Sequence, residues 1–389
     1  MTTPLPLTSL PDDERKFRET VCDFARTEVE PLVADMDRRG ELSPSLVEKL
    51  FAAGLMGIEV PEAYGGLGGG LFHVVLAIEE LAKVDPAVAV LVDVQNALLA
   101  SALLRHGSGD QRRRFLPALA TGTVGAFAIS EAGAGSDAFA MTTHARPDGD
   151  GYVVHGAKEW TTNAAEAGLF LVFARTGDNQ ALTAFLVERD TPGLNVGPRI
   201  DKLGIRASST CGLVLDEVRV PRQNVLGRPD GGAEIAVETL NIGKIGIAAQ
   251  LVGLAEGALR VAVEYAGRRE QFGQRIGEFQ GVRFPLARLA ASIEAARMLL
   301  YHTTRLVQHG TSDVTDRLRA TAMAKLIASD VAEEAASQAV ETLGGIGFTT
   351  TGPAAKFYRD AKVGKIYEGT TNVQLRTISA TLLSKGASS

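Results

Sequence analysis

Sulfur and tryptophan are scarce in this chain: two cysteines, Cys22 and Cys211, and one tryptophan, Trp160, in 389 residues. Two cysteines cannot build a disulfide framework, so a reducing compartment is the simplest reading. The six histidines show no metal-ligand spacing, and Walker A, H-E-x-x-H and G-x-S-x-G sequences are all missing. Metal-centred and serine-hydrolase chemistry therefore have no carrier, and no metal is expected. There is no basic excess either: 40 Lys and Arg stand against 46 Asp and Glu, for a net charge of −6. That argues against nucleic acid as the main partner, because phosphate binding needs a basic face. No apolar run approaches the ~18 residues of a membrane span. Pro11-Asp12-Asp13-Glu14 breaks any signal-peptide pattern, and no arginine-rich transit peptide is present. The expected compartment is the bacterial cytoplasm, or the mitochondrial matrix for a processed eukaryotic chain.

What is present has the texture of an ordinary globular protein, 45% apolar and 22% charged, long enough for two or three domains of roughly 100–200 residues. Residues 12–115 carry helical periodicity: Phe17, Val21, Phe24 and Ala25, then Leu46, Leu50 and Phe51, then Val75, Ile78 and Leu81. Asp85-Pro86 opens a further apolar helical segment to Leu104. The cluster Gly65-Gly66-Leu67-Gly68-Gly69-Gly70 reads as a flexible inter-helix loop, or one bordering a ligand entrance. Near Gly122 the pattern changes to short apolar runs separated by turns: Gly125–Ile129, Tyr152–His155, Leu169–Ala174, Leu182–Val187, Leu213–Leu215 and Val218–Val220. Residues 147–151 and Thr176-Gly177-Asp178-Asn179 supply turns between them, and a small barrel or sandwich is expected. From Ala233 long helices return. Ile245–Tyr265 is apolar nearly all round, and Gly253 and Gly257 would let another helix approach closely. Leu286, Leu289, Ile293, Ala296 and Leu300 form a 3-4-3-4 stripe, and a last long helix from Asp316 to Leu343 stops at Gly344-Gly345. The expected class is α+β: a helical N-terminal domain (1–120), a central β-barrel (121–230) and a C-terminal four-helix bundle (231–389).

Four segments could carry chemistry. Gly133-Ala134-Gly135-Ser136-Asp137-Ala138 fits a relaxed dinucleotide fingerprint, but no helix pattern follows it, so the strand–loop–helix context is missing. Its glycines would still expose backbone N–H groups to a planar ligand, and Ser130 and Ser136 add hydroxyls; alternatively it is a plain strand connection. Trp160 by itself reads as a core residue of the β segment. Followed by Thr161-Thr162, it could wall a flat ring while the threonines bond to the ring's edge. Arg269 follows a long helix and precedes Phe272-Gly273. It is either a solvated helix-end arginine or a guanidinium for a pyrophosphate. Glu368 lies in Ile366-Tyr367-Glu368-Gly369-Thr370. It is a surface carboxylate or, if its apolar neighbours bury it, a base with a raised pKa suited to proton abstraction beside a carbonyl.

In this order and at these separations the segments resemble the acyl-CoA dehydrogenase family of flavoproteins. Gly54–Val60, Glu79–Asp85, Lys202–Cys211 and Ile245–Gln250 extend the resemblance from about residue 12 to the end, closest to the short/branched-chain members. The resemblance implies the three domains above, a homotetramer, and FAD bound across a subunit interface. Phe127, Ile129, Ser130, Gly135, Ser136, Trp160, Thr161 and Thr162 would hold the flavin. Arg269, Phe272, Gln280, Glu341, Gly344 and Gly345 would reach the adenosine-diphosphate end of FAD on a neighbouring subunit, with Thr370 and Asn372 completing the site. Ser136, Ala233, Asn241, Lys244, Tyr367 and Gly369 would line the acyl-thioester site. Glu368 would remove the α-proton, and the β-hydrogen would leave as hydride to flavin N5, giving a trans-2-enoyl thioester. An electron-transfer flavoprotein would accept the electrons.

Some relatives carry the base on a bundle helix, where this chain has Gly243; that points back to Glu368. Many relatives have Arg where Lys244 stands, which keeps the charge but loses the bidentate fork. Asn372 agrees with the branched-chain subgroup. Two variants of the chemistry stay open: an acyl-carrier-protein substrate in a biosynthetic pathway, and direct use of oxygen. A flavin-bearing DNA-binding relative is a remote alternative that the acidic charge disfavours.

Overall fold

The computed structural model describes residues 9–177, 181–310 and 313–385; Asp178 and Asn179 of the expected turn lie outside them. The N-terminal helices are α1 (Asp12–Phe24), α2 (Val33–Arg39), α3 (Pro44–Ala52), α4 (Leu71–Ala82), α5 (Pro86–Asp93), α6 (Ser101–His106) and α7 (Gly109–Thr121). A wider-wound π-helical stretch, Val94–Ala100, makes α5 and α6 one continuous helix. It starts at Pro86 because Asp85 accepts the Ala87 N–H at 2.8 Å and Pro suits the first helical position. The glycine cluster before α4 is a packed turn, not a loose loop. Residues 66–69 donate backbone hydrogen bonds to Pro61, Gly57, Val60 and Ile58, and a Cβ at Gly66 would stand 2.1 Å from the Val60 oxygen.

Strands β1 (Val124–Ala128), β2 (His144–Asp148), β3 (Gly151–Thr162), β4 (Ala167–Thr176), β5 (Ala181–Glu188), β6 (Leu194–Arg199), β7 (Thr210–Pro221) and β8 (Val225–Leu226) form one eight-stranded mixed sheet. The order is β6-β7-β3-β2-β4-β5-β8, with β1 parallel to β4. Among the described residues β6 and β8 do not pair, so the barrel is open there. The two apolar runs at 213–220 are one strand, and β6 had no apolar signal of its own. Alternation along β1 divides two cores. Ala126 and Ala128 face the barrel interior, while Phe127 and Ile129 join the core shared with the helices.

The C-terminal helices are α8 (Gly232–Arg268), α9 (Gln280–His309), α10 (Val314–Leu343), α11 (Pro353–Ala361) and α12 (Thr371–Lys385). Between α8 and α9 lies a small hairpin, β9 (Glu270–Gln271) and β10 (Gln274–Arg275). Short connections make α8, α9 and α10 run up, down and up. The α9 stripe from Leu286 to Leu300 is buried as its spacing predicts.

One sequence expectation needs correction. The helices Pro86–His106 and Gly232–Arg268 are both long and apolar enough to cross a membrane by length and composition. In the fold 94% and 78% of their apolar stretches are buried against other elements, so they serve as core helices. A few charged residues interrupt each run, which hid the signal.

The α8 face that meets this core is cut by small residues. A Cβ at Gly253 would lie 2.2 Å from the Glu79 oxygen, and one at Gly257 2.4 Å from the Lys83 oxygen, so both glycines admit the end of α4, as their spacing predicts. A buried ionic clamp fixes α11. Lys356 donates to Asp85 (2.9 Å) and Asp360 (2.6 Å), and Asp360 accepts the Ile205 N–H at 2.5 Å. One cation thus ties the start of α5, the loop before β7 and α11 together, and α11 leads directly into the Glu368 segment.

Candidate active site

Glu368 stands in the turn between α11 and α12 with φ 51°, a left-handed conformation that costs a non-glycine residue roughly 1 kcal/mol or more. Its neighbourhood enforces it. The Lys325 ammonium on α10 donates to the carbonyls of Gly364 (2.5 Å) and Gly369 (2.9 Å). The buried Gln374 amide donates to the carbonyls of Glu368 (3.1 Å) and Gly369 (2.9 Å). Ser329 adds a bond to Gly364 at 2.9 Å.

The Glu368 side chain points at α8. Its Oε2 would be 3.0 Å, and Leu98 Cδ2 2.7 Å, from a Cβ at Gly243, so both side-chain ends occupy the space that the bare glycine leaves. As a residue Glu368 is half-buried, but Oε2 is shut from solvent and has no hydrogen-bond partner. Burial pushes its carboxyl up to about 7, against the opposing pull of Lys244 and Lys325. Burial in turn pushes the Lys325 amine down to about 8. One turn further along α8, Asp93 is only 1% exposed and its Oδ1 also lacks a partner. Gln250 continues the row: it accepts from the Tyr367 hydroxyl and donates to the Pro86 carbonyl at 2.7 Å.

Around Glu368 the structure gathers Tyr367, Gly369 and Thr370 from the same turn, with Lys244 beside Gly243. Lys244 donates to Asn241 at 3.0 Å, and burial lowers its pKa. Ala233 is exposed at the start of α8, and Asn372 is exposed on the first turn of α12.

The barrel supplies a second group. The loop after β1 is braced to β3 by a buried ion pair: Glu131 accepts from Lys158 at 2.8 Å and from the backbone of Thr142 and Thr143 at 2.6 and 3.0 Å. Burial opposes that charge, but the Lys158 and threonine bonds outweigh it and hold Glu131 down to about 2. The same brace fixes the spacing between Ser130, Gly135 and Ser136 on the loop and Trp160, Thr161 and Thr162 on β3. Trp160 is not a core residue: it is 58% exposed and left-handed at φ 59°. The Thr161 hydroxyl beside it is buried without a partner. A Cβ at Gly133 or Gly135 would meet nothing within 4 Å, so the loop surface is open. A single 3₁₀ turn, Ala138–Ala140, follows the glycines, which agrees with rejecting a dinucleotide helix. Phe127 and Ile129 sit below this surface, with the Phe127 ring 5.1 Å from that of Phe173.

At the far end of α8, Arg269 directly precedes the hairpin, Phe272 is at its tip and Gln280 opens α9 just beyond it. From Gly243 to Arg269 is roughly 40 Å at the helical rise per residue. Phe272 is 95% exposed at the hairpin tip, where it and Gly273 both take positive φ. Because the bundle runs up, down and up, Glu341, Gly344 and Gly345 at the end of α10 lie at the same end. Within one chain these residues are not brought to Glu368.

Sequence reasoning missed Asp93, Lys325 and Gln374. Asp93 and Lys325 are lone charges at buried positions of apolar helical runs, a signal that was available in the pattern.

Three family models cover the chain: "Acyl-CoA dehydrogenase, N-terminal domain" over residues 11–123, "middle domain" over 126–218 and "C-terminal domain" over 230–383. The probable short/branched chain specific acyl-CoA dehydrogenase of Dictyostelium discoideum is 49% identical over 96% of this chain and 90% of its own length. The mitochondrial short/branched chain specific enzyme of Rattus norvegicus is 45% identical over 96% and 86%. The solved structure of butyryl-CoA dehydrogenase from Megasphaera elsdenii superposes with a TM-score of 0.93 at 38% identity, covering 96% of this chain and 99% of that one. With all three domains matched in order, the chain belongs to the acyl-CoA dehydrogenase family.

Proposed function

We propose that this protein carries out FAD-dependent α,β-dehydrogenation of a short or branched-chain acyl-CoA, with Glu368 as the base that takes the α-proton. The observation that carries the reading is the buried, unpartnered Oε2 of Glu368, set in the space that Gly243 leaves on α8. A carboxyl with a pKa of about 7 is half ionised at neutral pH and far more basic than a free glutamate. Lys244 and Lys325 favour its ionised form before reaction. The left-handed turn, fastened by Lys325 and Gln374, keeps the carboxylate on a single aim while an acyl chain excludes water from it.

The barrel residues fit FAD. The Thr161 hydroxyl is a buried polar atom in need of a partner, Trp160 offers an exposed aromatic face, and the loop at Gly133 and Gly135 can be approached closely. Ser130, Ser136, Thr161 and Thr162 would bond to the flavin's polar edge beside the Trp160 ring, while Phe127 and Ile129 back the floor. Bound FAD supplies the acceptor for the β-hydride. Arg269, Gln280 and the Glu341–Gly345 segment, too distant to serve their own chain's flavin, would reach the adenosine-diphosphate end in a neighbouring subunit, with Phe272 in that interface. In this reading the working unit is a homotetramer in which a neighbour supplies these residues, and it would pass electrons to an electron-transfer flavoprotein.

The test is anaerobic titration of the purified flavoprotein with short straight and branched acyl thioesters. Bleaching of the flavin by branched acyl-CoA is expected. If no thioester bleaches it, the dehydrogenase reading fails; if only the carrier-protein form does, the carrier assignment fails.

A further inference from the structure

Two carboxyls, not one, are set into α8 at this site. The oxygens of Glu368 and Asp93 press against Gly243 and Gly246, residues one turn apart on one face of the helix. On such a helix the corresponding Cβ positions are about 5–6 Å apart. A Cβ at Gly246 would fall 1.7 Å from Asp93 Oδ1, so the helix is notched for this acid as it is for Glu368. Each carboxyl has one oxygen that is buried and unbonded. Asp93 has no cation within salt-bridge distance among the described residues. The titratable groups around it are Glu368 and Tyr367 from the turn before α12, while Lys244 of α8 and Lys325 of α10 face Glu368.

We propose that Asp93 is a positioning residue of the acyl site that keeps its proton while Glu368 gives its proton up, and that losing this second proton shuts the site on the alkaline side. The proposal rests on the reading of Glu368 as the base. Two carboxylates this close cannot both be stripped of water by an incoming acyl chain, because neither has a partner to offset the loss of hydration. Burial, and then the charge on Glu368, both push the Asp93 carboxyl well above its ordinary range. The pair therefore loses its protons in two steps that belong to both groups together. The first, near 7, switches the base on. The second leaves two buried negative charges, and acyl binding becomes unfavourable.

The experiment is the pH profile of kcat/KM for holoenzyme carrying Asp93→Asn, each profile scaled to its own maximum, with flavin content measured in parallel. At an effective dielectric of about 20, two such charges couple by about 1–2 pH units. The alkaline fall should therefore move upward by at least about one pH unit or vanish in Asp93→Asn, while Asp93→Glu, which keeps an acid, should retain it. If Asp93→Asn does not fold, Asp93→Ser takes its place. An alkaline limb that superimposes on wild type overturns the proposal. Glu368→Gln separates the two readings. If it stays active, the base assignment has failed; if it is inactive and the Asp93 variants leave the limb unmoved, only the role of Asp93 has failed.

Discussion

Gly243 and Arg269 sit on one helix, roughly 40 Å apart, in surroundings that differ physically in almost every respect. Around Gly243 the chain closes on itself: Glu368, Asp93, Leu98 and Tyr367 crowd the helix, and Lys325 and Gln374 fasten the turn that carries the base. Around Arg269 almost everything is open. Phe272 projects into solvent, Gly344 has nothing within 4 Å of a would-be Cβ, and the arginine makes only backbone hydrogen bonds among the described residues. The first end is the proposed reaction centre, with the proposed base and the groups that hold it all drawn from one subunit. The second has the residue types for a cofactor's phosphates but no occupant from its own chain, which is what a contribution to a neighbour requires.

The largest effect that would test this contrast is at the base. Glu368→Gln should lower turnover by about 10²–10⁴-fold, the usual contribution of a positioned base, with flavin content unchanged, as measured by stopped-flow bleaching. Wild-type rates in that variant would remove the reaction centre from this end. Next, Arg269→Ala should weaken FAD retention by about 10–100-fold, the worth of a charge-assisted hydrogen bond, measured by flavin released on dilution. The acid limb of its pH profile should stay in place, because Arg269 is remote from Glu368. Lys325→Met comes third. Two carbonyls lose a charged donor, costing about 1.5–3 kcal/mol in urea unfolding. Removing a cation that favours the ionised carboxylate should also move the acid limb, near 7 in the wild type, to higher pH. The smallest effects set the two ends side by side. Gly246→Ala forces a methyl against Asp93 and should cost about 1–3 kcal/mol. Gly345→Ala meets no neighbour and has no positive φ to lose, so it should cost at most about 0.5 kcal/mol. Equal thermal shifts for the two alanines would mean that the ends are packed alike.

Much of this was legible beforehand, and the reasons are local. The spacing of Gly253 and Gly257 announced a close helix contact, and α4 makes it. The stripe from Leu286 to Leu300 announced a buried face. The turn at residues 147–151 closes β2 onto β3. Other features were not legible because they depend on partners far along the chain. The Gly65–Gly70 run reads as slack from composition, yet at Gly66 the Val60 and Gly57 carbonyls come too close for a side chain. Trp160 reads as core, yet the β3 backbone turns left-handed at that residue and leaves the ring at the surface. The apolar length of the two central helices is masked in the sequence by lone charges, Asp93 among them, that break each run.

The sequence by itself determined the order of helical, β and helical regions, the residue types for a flavin, and a glutamate preceding a glycine near the C-terminus. Those follow from periodicity and short motifs, which are properties of neighbouring residues. Only the tertiary structure decided that this glutamate has a buried, unpartnered carboxyl oxygen and a raised pKa, as the proposed base needs, rather than an exposed surface charge. Its raised pKa arises from dehydration against α8, which the nearby cations Lys244 of α8 and Lys325 of α10 only partly offset. Desolvation and Coulomb energy depend on distance through space, and no pattern along the chain encodes that distance.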